Sequence, residues 1–212
     1  MIVEDLGKGN KINFSSKFEG VGSLKIFGNN NNIYIGKMKG LLDLQIYGNN
    51  SALEVKSLSR CGRLRAILKN SGVLFIDEAT TIEDCYILAD GKKVHIGKDC
   101  MISFQVDIRT TDAHGIYDIS TGDILNANED IFIDDHVWLA QGVMVAKGSH
   151  IGKNSIIGAK SYLSKLKVEP NILMAGTPPR LLKKDVIWDR RMTENIYAEN
   201  ANIDPRLFSY LG

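Results

Sequence analysis

From Ile133 onward the chain falls into consecutive sixes: Ile133–Trp138, Leu139–Met144, Val145–His150, Ile151–Ile156 and Ile157–Tyr162, with another opening at Leu163-Ser164. Each opens on an aliphatic residue, follows it with Asp, Ala or Gly, and carries Val or Ser in fifth place. A period of six suits short strands. Alternate residues of a strand point to opposite faces, so one aliphatic residue per strand turns inward and a tight corner follows. A small second residue, often Gly, is expected to tolerate strained corner dihedrals. A small fifth residue fits inside, near the corner. Three such strands make one coil of a triangular prism, each coil bonded to the next at ~4.8 Å. A sandwich or a stack of hairpins would need turn signals about every 8–12 residues and plain polar–apolar alternation, which five contiguous sixes do not offer.

The same pattern runs earlier in another phase, from Ile96 through Ile102 to Ile108. The phase slips between Ile108 and Ile133, so a loop over 109–130 is inserted there. Weaker sixes open at Ile76, Ile82 and Leu88, where the fifth places Tyr86 and Lys92 fit badly. Further upstream, Ile26–Asn30 is echoed twenty residues later by Ile46–Asn50, with Gly9-Asn10 and Asn70–Gly72 as further copies. Twenty is one coil of eighteen with a residue or two added. The asparagines read as corner residues, because Asn visits left-handed backbone cheaply and bonds locally in turns.

Composition bears this out: 20 Gly against 4 Pro means many turns built without proline. With 26 Lys and Arg against 25 Asp and Glu, the net charge of +1 gives no footprint for nucleic acid or an anionic membrane. There is no apolar run of ~18 residues to span a bilayer. The opening Met1–Asp5 has neither the basic start nor the apolar stretch of a secretion signal. Three cysteines, Cys61, Cys85 and Cys100, form no disulfide framework and fit a reduced, cytoplasmic setting. Beyond Gly176 the sixes stop. The spacing of Leu181, Leu182, Asp185, Val186, Trp188 and Met192 predicts a helix with one apolar face, covering the open end of the coil or packing on a neighbour. The expected organisation is therefore a β-helix over 1–177 and a helical or extended tail over 178–212.

The sixes, the inserted segment Asp112–Asp118, the run His136–Trp138 and the ending Ala175–Arg180 together resemble the left-handed β-helix, hexapeptide-repeat acyltransferases. Within them the chain looks most like the bacterial sugar and polysaccharide O-acetyltransferases that modify capsules, polysialic acid and exopolysaccharides. The likeness is strong over 96–180 and weaker upstream. It implies an all-β fold: a single-stranded, left-handed parallel β-helix with an inserted loop and a short C-terminal helical segment. The left hand comes from the resemblance alone, since general connection rules favour the right. Its first residues already read as repeats, so the helical N-terminal domain of serine acetyltransferases, the leading Rossmann domain of many nucleotide-sugar acetyltransferases and the short helical start of maltose and galactoside acetyltransferases are not expected in them.

The resemblance implies transfer of an acetyl group from acetyl-CoA to a sugar hydroxyl, with no metal and no acyl-enzyme. A hydroxyl is a poor nucleophile at neutral pH and needs a base as it attacks the thioester. An imidazole, with an ordinary pKa of ~6.5, suits that task. Of the four histidines, His114 lies in the one irregular insertion, and loops on a rigid scaffold carry function disproportionately. Its family match is the catalytic base. His95, His136 and His150 fall at or beside corners and read as solvent-facing polar residues. Asp112 is expected to orient the imidazole, to bind acceptor, or merely to form a turn. Tyr117 and Asp118 either contact sugar or shape the loop. Trp138, at an outward sixth place, is expected to hold the thioester region, its indole N–H suited to a developing oxyanion. By position in the family, Gln141, Ala159 and Lys160 would line the pantetheine groove, Ser164 and Lys165 the adenine end, and Arg180 and Lys183 the phosphates. The family is usually trimeric, with the loop of one subunit reaching the next. Two other readings stay open: a γ-carbonic-anhydrase-like metal enzyme and a non-catalytic scaffold. The first needs two loop histidines five residues apart, and position 119 is Ile. The second needs neither the loop nor the CoA-type ending.

Overall fold

The computed structural model describes residues 1–194 and 202–210, and the ladder of strands runs from Ile2–Asp5 to the C-terminal hairpin. Three inward ladders hold the prism together. Ile76, Ile96, Ile133, Ile151 and Val168 stack in the first. Ile82, Ile102, Leu139, Ile157 and Met174 stack in the second. Ile87, Ile108, Val145 and Leu163 stack in the third. Every first-place residue from Ile96 to Leu163 is fully buried, as are the fifth-place Val137, Val143, Ser149, Ser155 and Ser161. Each buried Ile or Leu contributes about 1.5–3 kcal/mol relative to exposure.

The corners differ from expectation in one respect. The left-handed backbone sits at the fourth place of each six, at His136, Gly142, Gly148, Asn154 and Lys160, and not at the second. The second place is small because coils approach each other there. A Cβ on Gly152 would stand 2.7 Å from Pro170 N, and one on Gly158 2.6 Å from the Ala175 Cβ. Close approach, not backbone strain, selects glycine at these positions.

Upstream, the twenty-residue echo is one coil, as Ile26 pairs with Ile46. The three-strand description does not extend there. Val21–Ile26, Leu41–Ile46, Arg60–Lys69 and Thr81–Asp90 form one flat wall and shorter strands such as Asn32–Ile35 and Ala52–Val55 form the other. In Thr81–Asp90 the inward residues are Ile82, Cys85, Ile87 and Ala89. Leu88 aligns with Arg109 instead, so the weak six expected to open at Leu88 is out of register. The cause is a strand that runs straight through a future corner: Glu83 and Asp84 both face outward, and the next coil breaks at Phe104-Gln105, with Gln105 left-handed. Thr81–Asp90 accordingly pairs with two strands at once, Met101–Ile102 and Val106–Arg109.

The insertion is visible as a jump in spacing. Ile96 pairs with Ile133, 37 residues on, whereas Ile133 pairs with Ile151, 18 on. At the other end the expected amphipathic helix over 181–192 is absent. Ile172–Gly176 turns at Thr177-Pro178 and returns as the antiparallel strand Pro179–Lys184. This hairpin pairs the last rung, and its own outer edge carries Lys183 and Lys184, which discourage further pairing. The turn at residue 177 thus lies inside the sheet. Helical turns are described at Thr193-Glu194 and as the 3-10 segment Pro205–Tyr210. Residues 195–201 and 211–212 of the expected tail lie outside the described residues.

Candidate active site

The inserted arm leaves the strand Val106–Arg109 and is riveted at its base. Lys147, almost wholly buried, donates from Nζ to Asp112 Oδ2 and to the Asn126 carbonyl, joining the start of the arm to its end. Asn126 donates from Nδ2 to Asp112 Oδ2 (2.9 Å) and to the His114 carbonyl (2.9 Å), and accepts from the Ile116 N–H (2.7 Å). The Lys147 and Asn126 hydrogen bonds hold the Asp112 carboxyl below its ordinary range. Among the described residues no hydrogen bond joins Asp112 to the His114 ring, which stands exposed on the arm. Asp112 therefore fixes the arm. Nothing in the periodicity points to Lys147 or Asn126.

Toward the tip, Asp118 Oδ1 accepts from the Ser120 hydroxyl and from the N–H groups of Ser120 (2.7 Å) and Thr121 (3.1 Å). It is a turn former. Tyr117 bridges Ile124 in a miniature antiparallel pair. Ile116, Tyr117, Ile124 and Leu125 are all exposed, and Ile119 wholly so.

The cofactor candidates gather at one corner and the adjoining face. Lys160 N–H donates to the Gln141 carbonyl, and Gly142 N–H to that of Phe104, so Gln141, Ala159 and Lys160 stand on one exposed corner column. Beside it Tyr162, Ser164, Leu166, Thr177, Pro178 and Pro179 line a cleft of about 390 Å³. Arg180 and Lys183 lie on the returning strand, opposite Ala175 and Leu173. Lys165 is engaged elsewhere, its Nζ 2.8 Å from Glu129 Oε1 near the end of the arm.

Trp138 lies between Met101 and Ile156 in its ladder. Its indole N–H reaches Ser103 Oγ at 3.4 Å, long for a hydrogen bond. Among the described residues no hydrogen bond or ring contact joins Trp138 to His114 within one chain.

The other histidines do not converge. His95 stacks on Phe75 and lies near Phe132, which meets His150 edge-on, in a column on the opposite wall. His136 is not solvent-facing, as the sequence suggested, but 1% exposed. Its ring is sandwiched between Trp188 (4.0 Å) and Tyr210 (4.2 Å). Nδ1 faces Asp99 Oδ2 and Nε2 faces the Trp188 carbonyl, both at 3.1 Å, while Trp188 Nε1 donates to the His136 carbonyl at 2.7 Å. Tyr210 and Arg190 also donate to Asp99 (2.7 and 2.6 Å). Burial pushes the Asp99 carboxyl up, but the bonds from His136, Tyr210 and Arg190 outweigh it and hold the group at about 2. This cluster anchors the C-terminal segment to a corner of the prism. Among the described residues, no group of three or more His, Cys, Asp or Glu is placed to hold a metal ion, and no helix is long and apolar enough to cross a membrane.

No protein-family model matches the chain. It is similar to the polysialic acid O-acetyltransferase of Neisseria meningitidis, 34% identical over 206 residues that cover 95% of this chain and 94% of that one. It is 38% identical over 143 residues to the polysialic acid O-acetyltransferase of Escherichia coli O1:K1 / APEC, covering 67% of this chain and 45% of that protein. Among solved structures it superposes on the polysialic acid O-acetyltransferase OatWY with a TM-score of 0.88 at 32% identity, over 99% of this chain and 100% of that one. On the polysialic-acid-specific acetyltransferase NeuO the TM-score is 0.80 at 26% identity, over 98% and 95%.

Proposed function

The chain belongs to the left-handed β-helix, hexapeptide-repeat acyltransferases, as an acetyl-CoA-dependent O-acetyltransferase of a polysaccharide hydroxyl, and from that premise we propose that His114 catalyses direct acetyl transfer to polysialic acid or a similarly acidic glycan. The acceptor oxygen attacks the thioester carbonyl as His114 takes its proton. The tetrahedral intermediate collapses, the C–S bond breaks, and the same proton passes to the departing CoA sulfur. Trp138 donates its indole N–H to the oxyanion. Asp112 acts as a positioning residue through Lys147 and Asn126. Tyr117 meets the sugar, while Asp118 shapes the tip.

The pantetheine arm lies along Gln141, Ala159 and Lys160, its far end in the Ser164 cleft, with Arg180 and Lys183 toward the phosphates and Lys165 at the margin. The observation that carries this reading is the riveted arm: an exposed histidine on the long insertion between Val106–Arg109 and Ile131–Ile133. The arm's exposed apolar tip, and the separation of His114 from Trp138 within one chain, support a homotrimer in which one subunit's arm meets its neighbour's corner. A supply of acetyl-CoA assigns the enzyme to the cytoplasm. The test is thiol release from acetyl-CoA on addition of polysialic acid. Turnover that requires the glycan supports the reading, and a failure to acetylate any acidic glycan rejects it.

A further inference from the structure

One face of the prism carries a second recess, of about 580 Å³, two to four coils N-terminal of the Ser164 cleft. The rungs Arg65, Tyr86, Asp107, Met144 and Tyr162 form a single outward column. Tyr162 lines the cleft at one end, and Arg65, Tyr86 and Asp107 line the recess at the other. Tyr86 and Tyr162 are three rungs apart, ~14 Å at the usual strand spacing.

The recess holds polar groups that the chain leaves unsatisfied. Two guanidinium groups attend the Tyr86 ring, Arg65 at 5.4 Å and Arg109 at 5.1 Å from its centroid. Arg109 is neutralised by Asp107, which it grips with two hydrogen bonds of 2.7 and 2.6 Å. Arg65 is not: among the described residues no carboxylate pairs with it, and its Nε is buried without a hydrogen bond. Asp84 Oδ1, in the same recess, is likewise buried and unsatisfied. A charged donor and a charged acceptor left without partners are costly unless a ligand completes them. A guanidinium edge matches a carboxylate, a carboxylate oxygen matches a sugar hydroxyl, and an aromatic face matches the apolar side of a pyranose.

We propose that this recess is a subsite for a carboxylate-bearing sugar residue of the acceptor, its carboxylate on Arg65, its ring against Tyr86 and a hydroxyl on Asp84. The proposal rests on the reading that the acceptor is an acidic glycan and the cofactor lies by Ser164. The bound residue then lies about three rungs, ~14 Å, from the cofactor cleft, and the enzyme selects a chain over a single sugar because only a chain reaches both places.

The experiment measures steady-state thiol release with polysialic acid and with the same polymer after reduction of its carboxylates to alcohols. For R65Q the KM for polysialic acid rises about ten- to hundredfold, the range charge-assisted hydrogen bonds supply. The KM for acetyl-CoA does not move, and R65K recovers part of the loss. On the reduced polymer the wild type falls to the level of R65Q. A melting temperature equal to wild type shows that R65Q folds. If R65Q keeps the wild-type KM for polysialic acid while wild-type turnover stands, the subsite is wrong and the assigned function survives. If the wild type acetylates a neutral polysaccharide and not polysialic acid, both are wrong.

Discussion

In the coils before Ile96 asparagine side chains reinforce the backbone bonds at one set of corners, whereas after it the corners rely largely on the backbone. Asn29 Oδ1 accepts the Lys8 N–H, Asn49 Oδ1 the Asn29 N–H, and Asn31 Oδ1 the Ser51 N–H, so each coil caps its neighbour. Asn30, Asn50 and Asn70 adopt the left-handed conformation that lets the chain turn. From Ile96 onward a single left-handed residue per six makes the turn, and the caps are largely backbone bonds between coils. From Leu24 to Leu163 the inward ladder is buried in both halves. The difference is what the corner leaves exposed. The asparagine corners use their own polar groups, while the sharp later corners present Gln141 and Lys160 to solvent and admit the arm. The candidate catalytic arm and cofactor groove lie in the half with the tighter repeat.

Four substitutions and conditions probe this contrast, in falling order of effect. Trp188→Ala removes the plate that stacks on His136 and should destabilise the triangular half by about 3–5 kcal/mol, read from urea unfolding. A loss below 1 kcal/mol would mean the C-terminal segment is not anchored as described. Lys147→Met unfastens the arm and leaves the prism intact. We expect kcat to fall about tenfold with faster amide exchange confined to 110–130, and unchanged exchange would dismiss the rivet. Asn31→Ala strips the cap from the buried Ser51 N–H and should cost about 1–3 kcal/mol while kcat per folded molecule stays put; a drop in kcat would blur the division between the halves.

The smallest effect is acidic. The Asp99 carboxyl is held at about 2, below its ordinary 3.8, so its contribution to stability is present above pH 4 and is lost as pH falls toward 2. Trp188 emission should change across that window while the far-ultraviolet dichroism of the strands persists. Emission flat down to pH 2 would contradict the role given to Asp99.

The sixes made the triangular half legible because one buried aliphatic residue per strand leaves a period no other fold needs. The flat half was less so, since a wall strand that skips a corner, as at Glu83-Asp84, shifts the register of Leu88 without changing its hydrophobicity. The C-terminal hairpin is hidden in the sequence because Leu181, Leu182 and Trp188 fall at helical spacing. An unpaired strand edge at Ile172–Gly176, invisible in sequence, captured that segment instead. His136 looked like any corner residue because its partners Trp188 and Tyr210 lie more than fifty positions away. The position of His114 in the arm was legible, while its fastening by Lys147 was not.

The most direct trial of the account compares His114→Ala with the wild type in thiol release and in acetyl-CoA binding. The account predicts turnover down by about 10²–10⁴-fold, with cofactor affinity and melting temperature unchanged. Wild-type turnover in the variant would contradict it.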